Sequence, residues 1–321
     1  MATALITGGH GGIGLECSRT LAGQYGMNLL LAGRSEARMA SVAQELANDH
    51  GVQVQTLALD TSSLTSVRAA AAHCRALIAE GVVEGLDAII CNAGARIGAL
   101  HQTCDGYEET FATNHLGHFL LVELLIDLLS PDGRVVFTAS GTHNPETMDG
   151  RLVGKAAEPD ADALARCGQD LYPAISAGVR YSTSKLCNIL CAYEVHRRLK
   201  RSGSAIASIA FDPGSTARTG FLRDMPAPVR ILSRTSFSHR LQKRMGITMG
   251  SVAFSGACLA RLAADTAFSG MSGKYMQSND GQLFEARSSR KSYDQAAALA
   301  LWDASKRLAG LQPEEEAVLL R

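Results

Sequence analysis

Apolar residues fall in short runs, separated by longer stretches with helical spacing. Ala4 to Thr7 reads as a strand, followed by a glycine-rich turn and a helical pattern to about Tyr25. Asn28 to Ala32 is a second apolar run, Glu36 to His50 is helical, and Val52 to Leu59 reads as a third strand. An alanine-rich helix over 63–80 leads to a buried strand at Leu86 to Cys91, and a long helix lies within 105–129. Arg134 to Thr138 is the fifth strand, 180–200 a helix, Ala205 to Phe211 the sixth strand, 249–264 a helix, and Lys274 to Gln277 the last strand. Continuous apolar runs alternating with helices predict a doubly wound α/β fold, a parallel sheet of about seven strands with helices on both faces. No repeat or low-complexity linker divides the chain, so 1–321 is expected to be one domain. Two stretches break the alternation, at about 142–180 and 220–250, and insertions of this kind are usually functional loops.

Composition narrows the function. Lys+Arg and Asp+Glu are 31 each, and the net charge is zero. No overall field draws such a chain to nucleic acid or anionic lipid. Eight cysteines include no C-x-x-C pair, which excludes a zinc ribbon or thioredoxin-type motif. They lie in apolar stretches, as buried free thiols do, with Cys187 and Cys191 one helical turn apart. Histidines and carboxylates form no metal-type cluster, so no metal is expected. The most apolar stretch, Phe119 to Leu129, is interrupted by Glu123 and Asp127 and is shorter than the roughly 20 residues of a membrane span. No basic region precedes an apolar one at the N-terminus, so a cytoplasmic protein is expected.

Candidate chemistry begins at Thr7-Gly8-Gly9-His10-Gly11-Gly12-Ile13-Gly14, between the first strand and first helix. Gly8, Gly12 and Gly14 allow a sharp turn and close approach of a pyrophosphate, and the helix N-terminus supplies free N–H groups. Ile13 opens that helix. After the second strand stands Arg34, in a place where an acid would hold a ribose 2′-hydroxyl and an arginine accommodates a 2′-phosphate. This favours NADP(H) over NAD(H), against the alternative of a solvated surface charge. Asp60, ending the third strand with Thr61 beside it, could accept from an adenine amine or cap the following helix. Tyr181 and Lys185 are four apart on one helix and share a face. A free phenol, with a pKa of about 10, is a poor acid or base at neutral pH. A neighbouring ammonium stabilises the phenolate, so the pair could move a proton to or from a substrate oxygen.

Together with Asn92-Ala93-Gly94, Asn114-His115-Leu116-Gly117, Ser140 and Pro213-Gly214, these motifs stand in the order found in short-chain dehydrogenase/reductases, which the chain resembles along nearly its whole length. The resemblance implies a Ser–Tyr–Lys site assisted by Asn. Tyr181 would be the acid/base and Ser140 would hold the substrate oxygen. Lys185 would bind the nicotinamide ribose and lower the Tyr181 pKa, and Asn114 would hold a water leading to solvent. Asn92, Ala93 and Gly94 would line the cofactor, with Pro213, Gly214 and Thr216 on its carboxamide side. Thr113 to Leu121, Ser184 to Asn188, Glu194 to Arg198 and Pro213 to Arg223 are similar to light-dependent protochlorophyllide reductases and, less closely, to retinol dehydrogenases. The protochlorophyllide enzymes carry a cysteine after Pro-Gly, where this chain has Ser215.

The reading that follows is an NADP(H)-dependent oxidoreductase interconverting a carbonyl and an alcohol in a bulky, largely apolar small molecule. One rival is C=C reduction in a protochlorophyllide-like pigment. Another is a non-catalytic NADP(H) sensor or scaffold, which would not need a proton relay. The resemblance implies a homo-oligomer, dimer or tetramer. The 142–180 insertion is expected to wall the substrate pocket. The 220–250 insertion, with Pro226 and Pro228 against a long helix and Phe221 and Phe237 needing cover, is expected to be a mobile lid that orders over substrate.

Overall fold

The computed structural model describes residues 1–215 and 248–321. Strands β1 (Thr3–Thr7), β2 (Asn28–Gly33), β3 (Val54–Ala58), β4 (Leu86–Cys91), β5 (Leu129–Thr138), β6 (Ala207–Asp212), β7 (Lys274–Asn279) and β8 (Gln282–Glu285) form one sheet. Its order is β3-β2-β1-β4-β5-β6-β7-β8, parallel throughout except for β8. The order reverses direction between β1 and β4, the switch point at which open α/β sheets bind ligands.

Side chains alternate across the sheet, and the apolar runs divide accordingly. Leu5, Leu30, Ile89, Val135, Phe137 and Ala210 face one cluster, while Ile6, Leu31, Ile90, Val136 and Phe211 face the other. Helices α1 (Gly12–Tyr25) and α2 (Glu36–His50) cover the second face. Helix α3 (Leu64–Ala79) covers the first, and its N-cap Ser63 accepts from Ser66 N–H. The long helix expected within 105–129 is composite: α4 (Glu109–Phe111), a π-helical turn at Ala112–Leu116, α5 (Gly117–Leu125) and a final 3-10 turn, Ile126–Leu128. Every residue of α5 is buried, which is why its apolar pattern has no polar face.

Four elements differ from the expectation. β5 begins at Leu129 rather than Arg134, because Leu129 pairs with Leu86 before the register shifts. The pattern of apolar runs does not predict β8. That strand forms a hairpin with β7 through Asp280-Gly281, both at positive φ, the two-residue turn an Asp-Gly pair favours. The 142–180 segment contains α6 (Met148–Val153) and α7 (Ala161–Ala165), with Leu164 and Ala165 in the core. It then joins α8 (Ala177–Arg201). Beyond α9 (Val252–Ala264), a helix that the sequence reading did not predict, α10 (Gln295–Leu308), packs on α8 through Leu301 and Trp302. Thr216 and nearly all of the expected lid lie outside the described residues. All cysteines but Cys104 are buried, so that one departs from the expectation. Among the described residues no helix is long and apolar enough to cross a membrane.

The C-terminal segment docks on α5 and α8 through charged groups. Arg198 lies 4.4 Å over the Trp302 ring and donates to the Leu320 carbonyl at 2.8 Å. Glu123 Oε2 accepts from Ala317 N–H at 3.1 Å and is 3% exposed. Burial pushes the Glu123 carboxyl up to about 7, against the hydrogen bond from Ala317 and the charges of Lys306 and Arg198, which pull it down. A raised carboxyl favours the folded state when protonated. That contribution is complete below the ordinary glutamate range and is lost as pH rises through about 7, by at most about 3 kcal/mol. Glu123→Gln should therefore become more stable relative to the parent between pH 5 and 8.5. Parallel melting temperatures across that range would refute the assignment.

Candidate active site

The site lies along the carboxyl ends of the central strands. β1 ends at Thr7, whose hydroxyl accepts from Asn92 N–H and Ala93 N–H, each at 2.9 Å. Asn92 Nδ2 donates to the Thr7 carbonyl at 3.0 Å, so the turns after β1 and β4 are tied together. Gly8 sits at φ +69°, and a Cβ at Gly14 would come within 2.3 Å of the Gly8 carbonyl. Only glycine permits that packing. Helix α1 starts after Gly11 with no side-chain cap and no acid in its first turn, and the space before Gly12 is open. Its first N–H groups are thus available to an anion.

The π-helical turn carries Asn114, which is fully buried. Its Oδ1 accepts from Ala95 N–H at 2.8 Å, and its Nδ2 donates to the Ala95 carbonyl at 3.0 Å and to Ser184 Oγ at 2.9 Å. Ser184 in turn donates to the Tyr181 carbonyl. The Asn114 carbonyl accepts from His118 Nδ1, and His118 Nε2 accepts from the Thr7 hydroxyl at 2.9 Å. Burial drives His118 down to about 4, so it is the neutral ring these two bonds require.

Ser140 follows β5 and shares a hydrogen bond with Tyr181. Thr142 Oγ1 donates to Ser140 Oγ at 3.1 Å. Lys185 Nζ donates to the Thr138 carbonyl at 2.9 Å and lies 5.7 Å from the Tyr181 ring centre. A Cβ at Gly94 would sit 3.0 Å from Asn114 Oδ1 and 3.2 Å from Lys185 Nζ, which explains the glycine there. Burial lowers Lys185 to about 8 against the raising charge of Asp212. The Tyr181 phenol, in contrast to the expected lowering, is pushed up to about 12. Burial and Asp212 raise it, while the Ser140 hydrogen bond and Arg96 oppose them. The ammonium that was expected to lower it spends its bond on Thr138.

Asn114, Ser140, Tyr181 and Lys185 thus meet at one place, with Asn92, Ala93 and Gly94 alongside. Gly8, Gly12, Ile13 and Gly14 form the adjoining turn and the start of α1. Gly214, at φ +71°, follows Pro213 at the end of β6. Arg34 is exposed at the end of β2, where its charge and that of Arg38 act on His10. Asp60 accepts from Ser62 N–H and Ser62 Oγ, and Ser63, not Asp60, caps α3. Thr61 packs its backbone against Gly117. Among the described residues no cluster could hold a metal.

Sequence reasoning missed several contributors. Arg180 precedes Tyr181 and is 3% exposed. It pairs with Glu108 at 2.9 Å and donates to the carbonyls of Ile97, Ala99 and Ile175. It fastens the loop after β4 and the end of the 142–180 segment to the start of α8. His143 donates to the Ser140 carbonyl at 2.7 Å and accepts from Ser289 N–H. Asp212 is buried beside the site. The pattern gave no signal for His143 or Arg180. Asp212 went unnoticed beside Pro213-Gly214, which the resemblance singled out for the cofactor's carboxamide side.

Residues 2–148 match the family model of short chain dehydrogenases. The chain is 33% identical over 324 residues to protochlorophyllide reductase A, chloroplastic, of Oryza sativa subsp. japonica, covering 96% of this chain and 80% of that one. It is 31% identical to the WW domain-containing oxidoreductase of Danio rerio, covering 95% of this chain and 67% of the relative. Among solved structures, an uncharacterized protein from Mycobacterium paratuberculosis superposes with a TM-score of 0.68 at 28% identity, covering 97% of this chain and 94% of that one. A short chain dehydrogenase from Burkholderia cenocepacia J2315, in complex with NADP, superposes at 0.62 with 22% identity, covering 87% and 96%.

Removing one partner of a buried ion pair leaves the other charge uncompensated, at a cost of about 3–5 kcal/mol. Arg180→Met should lose stability of that order in denaturant unfolding. The double variant with Glu108→Gln should recover part of it. Additive losses would show that the two side chains do not act as a pair.

Proposed function

The chain belongs to the short-chain dehydrogenase/reductase family, and on that premise we propose that it is an NADP(H)-dependent oxidoreductase, one domain over 1–321, that interconverts a carbonyl and an alcohol in a bulky, largely apolar substrate. The observation that carries this reading is the meeting of Asn114, Ser140, Tyr181 and Lys185 beside the uncapped N-terminus of α1.

The residues present suit a phosphorylated dinucleotide. The open space before Gly12 and the free N–H groups of α1 fit a pyrophosphate. Arg34 and Arg38, whose charges reach His10, fit a 2′-phosphate. Asn92, Ala93, Gly94, Pro213 and Gly214 border the strand ends where the nicotinamide half would lie. The NADP held by the Burkholderia structure is consistent with this choice. When bound, the dinucleotide supplies or accepts the hydride.

Tyr181 gives a proton to the substrate oxygen in reduction and takes it back in oxidation, while Ser140 orients that oxygen. With its pKa pushed up to about 12, Tyr181 rests as the neutral phenol, the form that donates. Lys185 holds its ammonium within reach of the ring, and Asn114 sets the spacing between α8 and the loop after β4. The likeness to a protochlorophyllide reductase favours a second reading, C=C reduction of a porphyrin-like pigment. Ser215 in place of that family's cysteine weighs against it. Turnover of the pigment only under illumination would establish the second reading instead.

Two variants test the proposal with NADPH absorbance as readout and a panel of polycyclic and isoprenoid carbonyls as substrates. Tyr181→Phe keeps the ring and removes the proton, so turnover should fall by roughly 100-fold or more with NADPH binding unchanged. Near-normal turnover would remove Tyr181 from the proton step. Arg34→Asp places a like charge at the 2′-phosphate, so NADPH affinity should drop at least about tenfold more than NADH affinity. Equal losses would show that Arg34 does not read the phosphate.

A further inference from the structure

Asp212 is 1% exposed and stands one position beyond Phe211, the last residue of β6 paired with β5. Strand alternation puts it on the same sheet face as Ala210, and that face carries α8. Its Oδ1 accepts from Gly214 N–H at 3.0 Å. Its Oδ2 accepts from Tyr275 Oη at 3.0 Å and from Gln277 Nε2 at 2.8 Å. A Cβ at Gly141, next to Ser140, would lie only 3.1 Å from the same Oδ2. One carboxylate therefore borders the turn after β6, the backbone beside Ser140, and β7.

The charged and titratable groups around it come from every neighbouring element. Lys185 and Tyr181 stand on α8, His143 follows Ser140, Asp149 belongs to α6 and Tyr275 to β7. Tyr275 also meets His143 at a tilt, with ring centres 5.1 Å and ring planes 57° apart. Asp149 is held separately by Thr248, whose N–H and hydroxyl both donate to it. Arg96 acts on Tyr181 from the loop after β4, and His118 faces Lys185 as a neutral ring. Lys185 Nζ donates to the carbonyl of Thr138, which pairs with Phe211, so the ammonium lies beside the residue that precedes Asp212 and would otherwise carry its charge into the interior with little to offset it.

We propose that Asp212 is a positioning residue of the reaction: its buried carboxylate locks the Pro213-Gly214 turn and the Gly141 side of the Ser140 loop around Tyr181 and Lys185, and supplies the counter-charge that keeps Lys185 an ammonium. The role in the reaction rests on Tyr181 and Lys185 being the proton-handling pair. The counter-charge itself does not, and it can be measured without a substrate.

The test is the titration of Lys185, followed by NMR on lysine-labelled protein with the resonance assigned by Lys185→Met. Asp212→Asn keeps the shape and removes the charge. Its Lys185 should lose its proton at a pH lower by roughly 0.5–1 than in the parent. Tyr275→Phe removes one hydrogen bond and no charge, and should leave the titration where it was. Where Asp212→Asn does not fold, Asp212→Ser, which keeps an acceptor near Gly214, takes its place. An unshifted titration on loss of the carboxylate overturns the proposal, as does an equal shift in Tyr275→Phe, since packing alone would then account for it. For a carbonyl that the parent reduces, the alkaline limb of kcat/KM, where Lys185 loses its proton, should move in the same direction. Failure to reduce any carbonyl would sink the functional reading while leaving the titration to decide on Asp212.

Discussion

A lysine ammonium that is 3% exposed is the constraint around which this structure is arranged. An isolated buried charge is expensive, and the surroundings of Lys185 offset it step by step. Its Nζ donates to the carbonyl that ends β5, which puts the cation at the tip of the sheet. Asp212, one strand over, adds a negative charge on the same face. Two of the described neighbours add neither charge nor bulk. His118 is kept neutral by burial, and residue 94 is a glycine because a side chain would press on both Asn114 and the ammonium.

That arrangement holds only if the loops beyond the strands cannot drift. Thr7, at the end of β1, uses its hydroxyl as acceptor for two backbone N–H groups after β4 and as a partner for His118. Asn114 holds both backbone groups of Ala95. Arg180 holds the carbonyls of Ile97 and Ala99 from the other side. The loop after β4 is therefore pinned at both ends by side chains from two different helices. One of these comes from a π-helical turn, where the Asn114 carbonyl also accepts from His118 Nδ1. The other is the immediate neighbour of Tyr181, so the loop and the phenol share one anchor.

Most of the fold was legible in the sequence for a physical reason. Strands buried on both faces must be continuously apolar, and helices covering them must show spacing near 3.6, so each element leaves a local signature. Helix α2 occupies the predicted 36–50, and six of the strands lie within a residue or a few of their expected places. The glycines and the Tyr-x-x-x-Lys spacing were legible too, since a tight turn and a shared helix face are themselves local requirements. β8 left a signal that was overlooked, the Asp280-Gly281 turn.

What only the tertiary structure decided is what depends on residues far apart in the chain. The Lys185 environment joins β4, β5, β6 and the π-helical turn, and no window of sequence contains them together. The direction in which Tyr181 shifts follows from that environment. Its spacing to Lys185 suggests a lowered pKa, but burial and Asp212 outweigh the neighbours that lower it. Arg180 and Glu108 look like ordinary surface charges in sequence, and become a buried pair only when the 142–180 segment folds back over the loop after β4. Periodicity encodes which face of an element is buried; which charges meet there is set by the order of the strands.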